Sequence, residues 1–469
     1  MIPPFAFRLV TAAVLALSHP AQEKPEDRLA KLIHDGTAME DLAYLSDEIG
    51  ARLTGSVACD KAQQWAMAKM KEYGAENVHR EAYSFPSRWE RGTEDRLTLL
   101  TQSGKEIGVH AMAWNPATKG AITADAMLLE GRVDELLKRV DDYKGKIVVL
   151  GAVRRPADGS DPDKLIHELN KKLGMLAVGL LAASGDESGK FIMYGSPYDW
   201  YLNDYFGGWP RLPFGFLTSE DFSLLKRLLT KGDKVRLRLN LGGKITKAPV
   251  EEHNVIGEIR GSGKPDEVVI IGGHLDSWDL GTGTTDNGTG SVATLQTLRA
   301  MNKLGIKPKR TIRFILFTGE EQGICGSTAY AKQHAAEMAN IQAILIDDLG
   351  PGKPNGFTCQ GYGQWVPLLK TAMEPLAGIG VQKILVKQHW DSDQDPFIEH
   401  GVPGFFMDQD ITTYFGTTYH SQMDMFSHVK AEDYLPGIQA IATVGWGFAN
   451  CADRLPHVPA GHVTGPDKG

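Results

Sequence analysis

The chain has 469 residues and a formal net charge of −8, with 42% hydrophobic and 23% charged residues. That composition excludes wholesale disorder and collagen-like repeats, and allows two to four ordinary domains. No basic block stands out, so a nucleic-acid surface is not expected.

The N-terminus has the features of an export signal. Arg8 precedes the apolar run Leu9 to Leu17, and Ala16-Leu17-Ser18 offers a small-x-small cleavage site. Residues 1–18 are therefore expected to be a signal peptide, with a secreted or periplasmic product. No later run reaches the ~18 apolar residues of a membrane-spanning helix. The four cysteines, Cys59, Cys325, Cys359 and Cys451, form no CxxC pair. Free buried thiols are the preferred reading, with disulfides as the alternative in an exported chain.

Helical spacing runs through Arg28 to Ile49 and again through Asp60 to Tyr73. Strands are expected at Val78 to Trp89 and Asp95 to Leu100. From Ala117 to Ile245 the texture changes. Ile122 to Leu129, Ile147 to Gly151 and Val235 to Leu241 look like strands, and no polar cluster suggests metal ligands. This segment is expected to be an accessory domain, with the aromatic stretch Tyr198 to Phe216, including Trp200 and Trp209, in its core.

Beyond Asn254, strands alternate with helices. Glu267–Ile271, Thr311–Phe317 and Ile341–Ile346 are strands; Gly288–Leu304 and Ser327–Met338 are helices, the latter with Ser327 as N-cap. Such alternation implies parallel pairing, with helices on both faces of the sheet. Residues 456–469 are Pro/Gly-rich and expected to form a loose tail.

Open α/β sheets place ligands at the carboxyl ends of their strands. Three strands here exit into His274-Leu275-Asp276, Glu320-Glu321 and Asp347-Asp348; Asp286 precedes a helix, and His420 lies further on. Each alone has an ordinary explanation. Together they supply two imidazoles and enough carboxylates, one of them bridging, for two divalent metals ~3.5–4 Å apart. Imidazole and carboxylate donors suit zinc. One glutamate of the adjacent pair can stay off the metals and move a proton. Competing signals are weaker. Gly281-Thr282-Gly283 lacks the Lys-Ser/Thr of a phosphate loop, no GxSxG elbow occurs in context, and a Cys325 nucleophile is unnecessary beside a metal set.

The stretches HLDSWDLGTGTTDNGTG, FTGEEQGICGSTAY, IDDLG and YHSQMD resemble the M28 family of co-catalytic zinc peptidases, and NVIGEIRGSGKPDEVVIIGGHLDSWD its carboxypeptidase Q branch. The resemblance spans about Leu32 to Val429. It implies a mixed α/β zinc-exopeptidase (phosphorylase/hydrolase-like) sheet flanked by helices. The peptidase domain would cover 22–116 and 246–455, with a mostly-β protease-associated (PA) domain inserted at 117–245. It also implies two Zn2+ per chain, held by His274, bridging Asp286, Glu321, His420 and one aspartate of IDDLG. An Asp-x-Gly pattern selects Asp348, which is preferred; a wider pattern would select Asp347. Glu320 corresponds to the general base and Asp276 to the acid that orients a ligand. Ser392-Asp393-Gln394 departs from a Ser-Asp-His pattern, which leaves that loop without an assigned role. The expected activity is hydrolysis of dipeptides or short peptides. Aminopeptidase action, a one-zinc glutaminyl-cyclase-type acyl transfer and a non-catalytic binding role are the alternatives. The oligomeric state is open, a homodimer included.

Overall fold

The computed structural model describes residues 23–459 apart from 93, 102–103, 186–188, 200–207, 247 and 390–391. The expected signal peptide, most of the expected tail, and Trp200, Tyr201 and Tyr205 of the aromatic stretch lie outside the described residues.

Two eight-stranded sheets organise the described residues. The first runs in the order Glu76–Phe85, Val250–Ile259, Arg310–Phe317, Lys264–His274, Ile341–Ile346, Gly404–Gln409, Pro354–Thr358, Lys383–Leu385. Its centre is parallel: Lys264–His274 pairs with Arg310–Phe317 on one side and Ile341–Ile346 on the other, which in turn pairs with Gly404–Gln409. The outer pair Glu76–Phe85 and Val250–Ile259 is antiparallel.

Side chains on a strand alternate between its two faces, and the apolar runs divide accordingly. Val269, Ile271, Phe314, Leu316, Ala343 and Leu345 enter one core, under the helices Thr289–Leu304 and Ala431–Asn450. Val268, Ile270, Ile315, Phe317, Ile344 and Ile346 enter the opposite core, beside Tyr330 and Phe397. A strand covered on both faces must be apolar throughout, which is why these segments read as continuous runs.

The second sheet orders Lys105–Ile107, Arg96–Leu99, Arg236–Asn240, Ile122–Arg132, Ile147–Arg154, Gly179–Ala183, Phe214–Leu217 and His110–Ala111. Strands between Arg96 and Ala111 thus pair in this sheet, although they precede residue 117. Helices Pro162–Leu176 and Ser219–Lys231 accompany it, so the segment is mixed rather than mostly β. Described members of the aromatic stretch, including Phe214 and Phe216, lie in its core with Tyr198 and Trp209 packed against it.

Two local expectations need correction. The helix after the Glu320-Glu321 strand exit is Cys325–Gln333, entered through Ile324 at φ 48°; Ser327 lies in its first turn, where its hydroxyl donates to the Ile324 carbonyl, so it is not the cap. The helical run at Arg28 to Ile49 is broken into Pro25–His34, Ala38–Ala43 and a wider turn at Tyr44–Ile49. All four cysteines are free thiols. No helix among the described residues is long and apolar enough to cross a membrane.

Candidate metal centre

The parallel register brings the strand exits together. His274 ends its strand opposite Phe317, and Gly272 stands opposite Ile346, so the residues that follow each strand emerge at one edge. The helix Thr289–Leu304 closes onto this edge through Gly290, where a Cβ would collide with the Asp347 carbonyl and the Asn287 side chain. Asn287 completes the corner: its Nδ2 donates to the Asp347 carbonyl at 2.8 Å, and its Oδ1 accepts from the Gly290 amide at 2.8 Å.

The expected residues converge there. Asp286 lies between two imidazoles, with Oδ1 3.3 Å from His274 Nε2 and Oδ2 3.5 Å from His420 Nε2. On the His274 side, Asp348 Oδ1 lies 3.1 Å from the same nitrogen and Glu320 Oε2 lies 3.9 Å away. On the His420 side, Glu321 Oε2 lies 3.0 Å from His420 Nε2. The adjacent glutamates therefore face different places. Glu321 is 2% exposed at its side chain and Glu320 11%, so Glu320 is the one nearer solvent.

Asp276 is fully buried and acts as a hub. Its carboxylate accepts from Thr54 Oγ1 at 2.7 Å and from the Glu320 and Glu321 amides at 3.4 and 3.3 Å. Its carbonyl faces His274 Nδ1 at 3.0 Å. One residue thus orients the imidazole and the glutamate pair together.

Asp347 and Asp348 separate clearly. Asp348 also accepts from Ser392 Oγ at 2.6 Å, which gives the 392–394 loop a contact with the site. Asp347 turns away, with Oδ1 3.5 Å from Gln409 Nε2. Burial, with Asp348 beside it, pushes the Asp347 carboxyl up to about 8.

Several supporting residues have no role assigned by the sequence alone. Asp424, within YHSQMD, accepts from the Thr285 amide at 2.6 Å and the Asp286 amide at 3.1 Å, and so holds the Asp286 turn. Arg52 is fully buried and donates to the carbonyls of Gly50, Leu275, Thr282 and Gly283, tying the 281–283 glycine-rich loop into the interior. Glu252, 3% exposed, accepts from the Gly55 and His253 amides at 2.6 and 2.9 Å and from Gln63. Burial raises its carboxyl to about 7.

The electrostatics of the cluster call for cations. Burial pushes Glu320 well above the usual carboxylate range, opposed by His274 and reinforced by Asp348, Glu321 and Asp393. Burial does the same to Glu321, with Asp286 adding to it. It also drives His420 down to about 4 against the pull of Asp286. Asp286 Oδ2 is buried without a hydrogen-bond donor among the described residues. Buried carboxylates this close together are unfavourable unless a positive charge compensates them. Nitrogen and oxygen donors in this geometry fit zinc, and His274, Asp286 and Glu321 have donor atoms within 4.8 Å of one another, as do His274, Glu320 and Asp348. Burial meanwhile lifts the Cys325 thiol to about 12, which disfavours a thiolate nucleophile.

Acids and imidazoles at the carboxyl edge of a mixed α/β sheet define a metal-dependent hydrolase site. The description "Peptidase family M28" matches residues 254–443. Carboxypeptidase Q of Bos taurus is 31% identical over 419 residues, covering 89% of this chain and 86% of that protein. The crystal structure of a peptidase M28 precursor from Shewanella amazonensis SB2B superposes with a TM-score of 0.75 at 26% identity, covering 92% of this chain and 98% of that one. A zinc aminopeptidase from Bacillus subtilis shares the fold, with a TM-score of 0.67 at 20% identity over 92% of this chain and 97% of its own. The chain belongs to peptidase family M28 and is a metallopeptidase, a hydrolase acting on peptide bonds.

Proposed function

We propose that the protein is a two-zinc exopeptidase that hydrolyses dipeptides or short peptides. The observation that carries this reading is Asp286, whose two carboxylate oxygens face two different imidazoles. His274 and Asp348 would complete one site around it, and His420 and Glu321 the other. The similar proteins named above, a carboxypeptidase and a zinc aminopeptidase, support the metal and the reaction class.

Bound zinc supplies polarisation of the scissile carbonyl and a lowered pKa for water in the site. Glu320 reaches toward the space between the ligands and is open enough to meet substrate. It takes a proton from the attacking water and returns it to the departing amine. Asp276 holds the Glu320 and Glu321 amides and His274 in register, so the base and the ligands share one anchor. The segment 117–245, with the strands just before it, is read as a PA-type insert. Export rests on Arg8 and the Leu9–Leu17 run.

Glu320→Gln keeps the shape of the side chain and removes the base. We expect kcat on a dipeptide panel to fall about 10²–10⁴-fold while zinc content stays at two per chain. Turnover within tenfold of wild type would exclude Glu320 as the base. Running the same panel with N-blocked and C-blocked peptides separates aminopeptidase from carboxypeptidase action by showing which free terminus is required.

A further inference from the structure

The two histidines of the site are oriented in different ways. His274 turns Nδ1 toward Asp276, at 3.0 Å from its carbonyl and 3.5 Å from its carboxylate. A metal-binding histidine ordinarily has such a partner on its second nitrogen, which fixes the ring. His420 Nδ1 is buried and has no hydrogen-bond partner among the described residues. Its backbone is also unusual, at φ 51°, a region that non-glycine residues seldom adopt. Among the described residues, no hydrogen bond at Nδ1 fixes this ring from behind its metal-facing nitrogen.

Aromatic packing does so. Tyr419 stacks on His420 with ring centres 3.7 Å apart and planes at 20°. Tyr194 meets it edge-on at 5.2 Å and 73°, and Trp278 lies at 5.7 Å and 53°. Tyr194 and Trp278 also contact each other at 6.3 Å, closing the box. Edge-to-face and offset stacking at these separations is favourable and directional.

One wall of the box is contributed by a distant segment. Tyr194 ends a strap, Lys190 to Tyr194, that follows the second sheet's strand Gly179–Ala183 and lies along the loop carrying His420. The Met193 amide donates to the His420 carbonyl at 2.8 Å, and Ile192 bridges Ser421 in antiparallel fashion. The Phe191 amide donates to Gln422 Oε1 at 2.8 Å, and Lys190, 7% exposed, reaches the Gly416 carbonyl at 3.1 Å. The strap therefore grips both the backbone and the ring of His420.

We propose that Tyr194 is a positioning residue for His420, and that through it the segment carrying the second sheet sets affinity for the metal on the His420–Glu321 side. This rests on the two-zinc reading above. The ring, not the hydroxyl, makes the wall, so Tyr194→Phe should preserve the effect and Tyr194→Ala should remove it.

The test is zinc binding by the metal-free full-length protein, titrated against a competing chelator, for wild type, Tyr194→Ala and Tyr194→Phe. In Tyr194→Ala one ion should bind as in wild type, and the other about 10–100-fold more weakly, the loss typical of removing a ligand's outer support. Tyr194→Phe should stay within about threefold of wild type, well below that ~10-fold lower bound. The ion that binds normally reports that the alanine variant is folded. Equal weakening of both ions, unchanged binding of both, or a phenylalanine variant as weak as alanine would each overturn the proposal. A wild type that binds fewer than two ions would instead refute the two-zinc reading itself.

Discussion

Glu252 is a buried carboxyl whose titration should be visible in the stability of the whole protein. It is 3% exposed, and burial raises its pKa from 4.5 to about 7. Between those two values the folded protein binds a proton that the unfolded chain has released. Stability from this group is therefore full below pH ~4.5 and is lost as pH rises through ~7. At ~1.36 kcal/mol per pKa unit the full effect is about 3 kcal/mol, of which about 2.5 kcal/mol develops between pH ~5 and pH ~8. Glu252→Gln removes the titration. Its amide would face the Gly55 or Gln63 N–H, so the variant carries a cost of about 1–3 kcal/mol that does not change with pH. Urea unfolding of both proteins at matched zinc, at several pH values, isolates the effect, because other pH-dependent contributions cancel in the difference. Wild type should lose about 2.5 kcal/mol more than the variant between the two ends of the range. A difference below about 1 kcal/mol would mean that the three N–H donors hold the carboxylate ionised despite its burial.

Three further substitutions probe the proposed metal ligands. Asp286→Ala should abolish activity and reduce zinc content to one ion or none, since its oxygens face both histidines; two tightly held ions in that variant would exclude a bridging role. Asp348→Ala should lose metal on the His274 side, whereas Asp347→Ala, whose side chain turns toward Gln409, should retain both ions. Elemental analysis after gel filtration distinguishes the two, and the reverse pattern would assign the ligand to Asp347.

Much of the catalytic half was legible in the sequence. The runs EVVII, TIRFILF and IQAILI are apolar because both faces of each strand are covered, and the polar residues that follow them lie where a parallel sheet presents its carboxyl edge. His274 ends its strand, Asp348 lies two residues beyond another, and Glu320 and Glu321 lie three and four residues beyond a third, so local pattern alone places them on one edge. The choice between Asp347 and Asp348 was different. Adjacent residues point apart, and only the packed sheet shows which of them faces His274.

Where local pattern gives out, the reason is distance along the chain. Apolar periodicity and strand exits are properties of neighbouring residues, and the sequence by itself determined the buried parallel strands and the polar residues at their carboxyl edge. The supports are not local. Thr54 reaches Asp276 across 222 residues, and Asp424 holds the Asp286 turn across 138. The strands between Arg96 and Ala111 carry nothing that distinguishes them from those of the first sheet; their hydrogen bonds to Arg236–Asn240 and Phe214–Leu217 decide their membership. Tyr194 lies among other aromatic residues in the sequence, and only folding sets it against His420. Tertiary structure decided these matters because a buried carboxylate or imidazole takes its orientation from whichever donor, acceptor or ring the fold brings beside it.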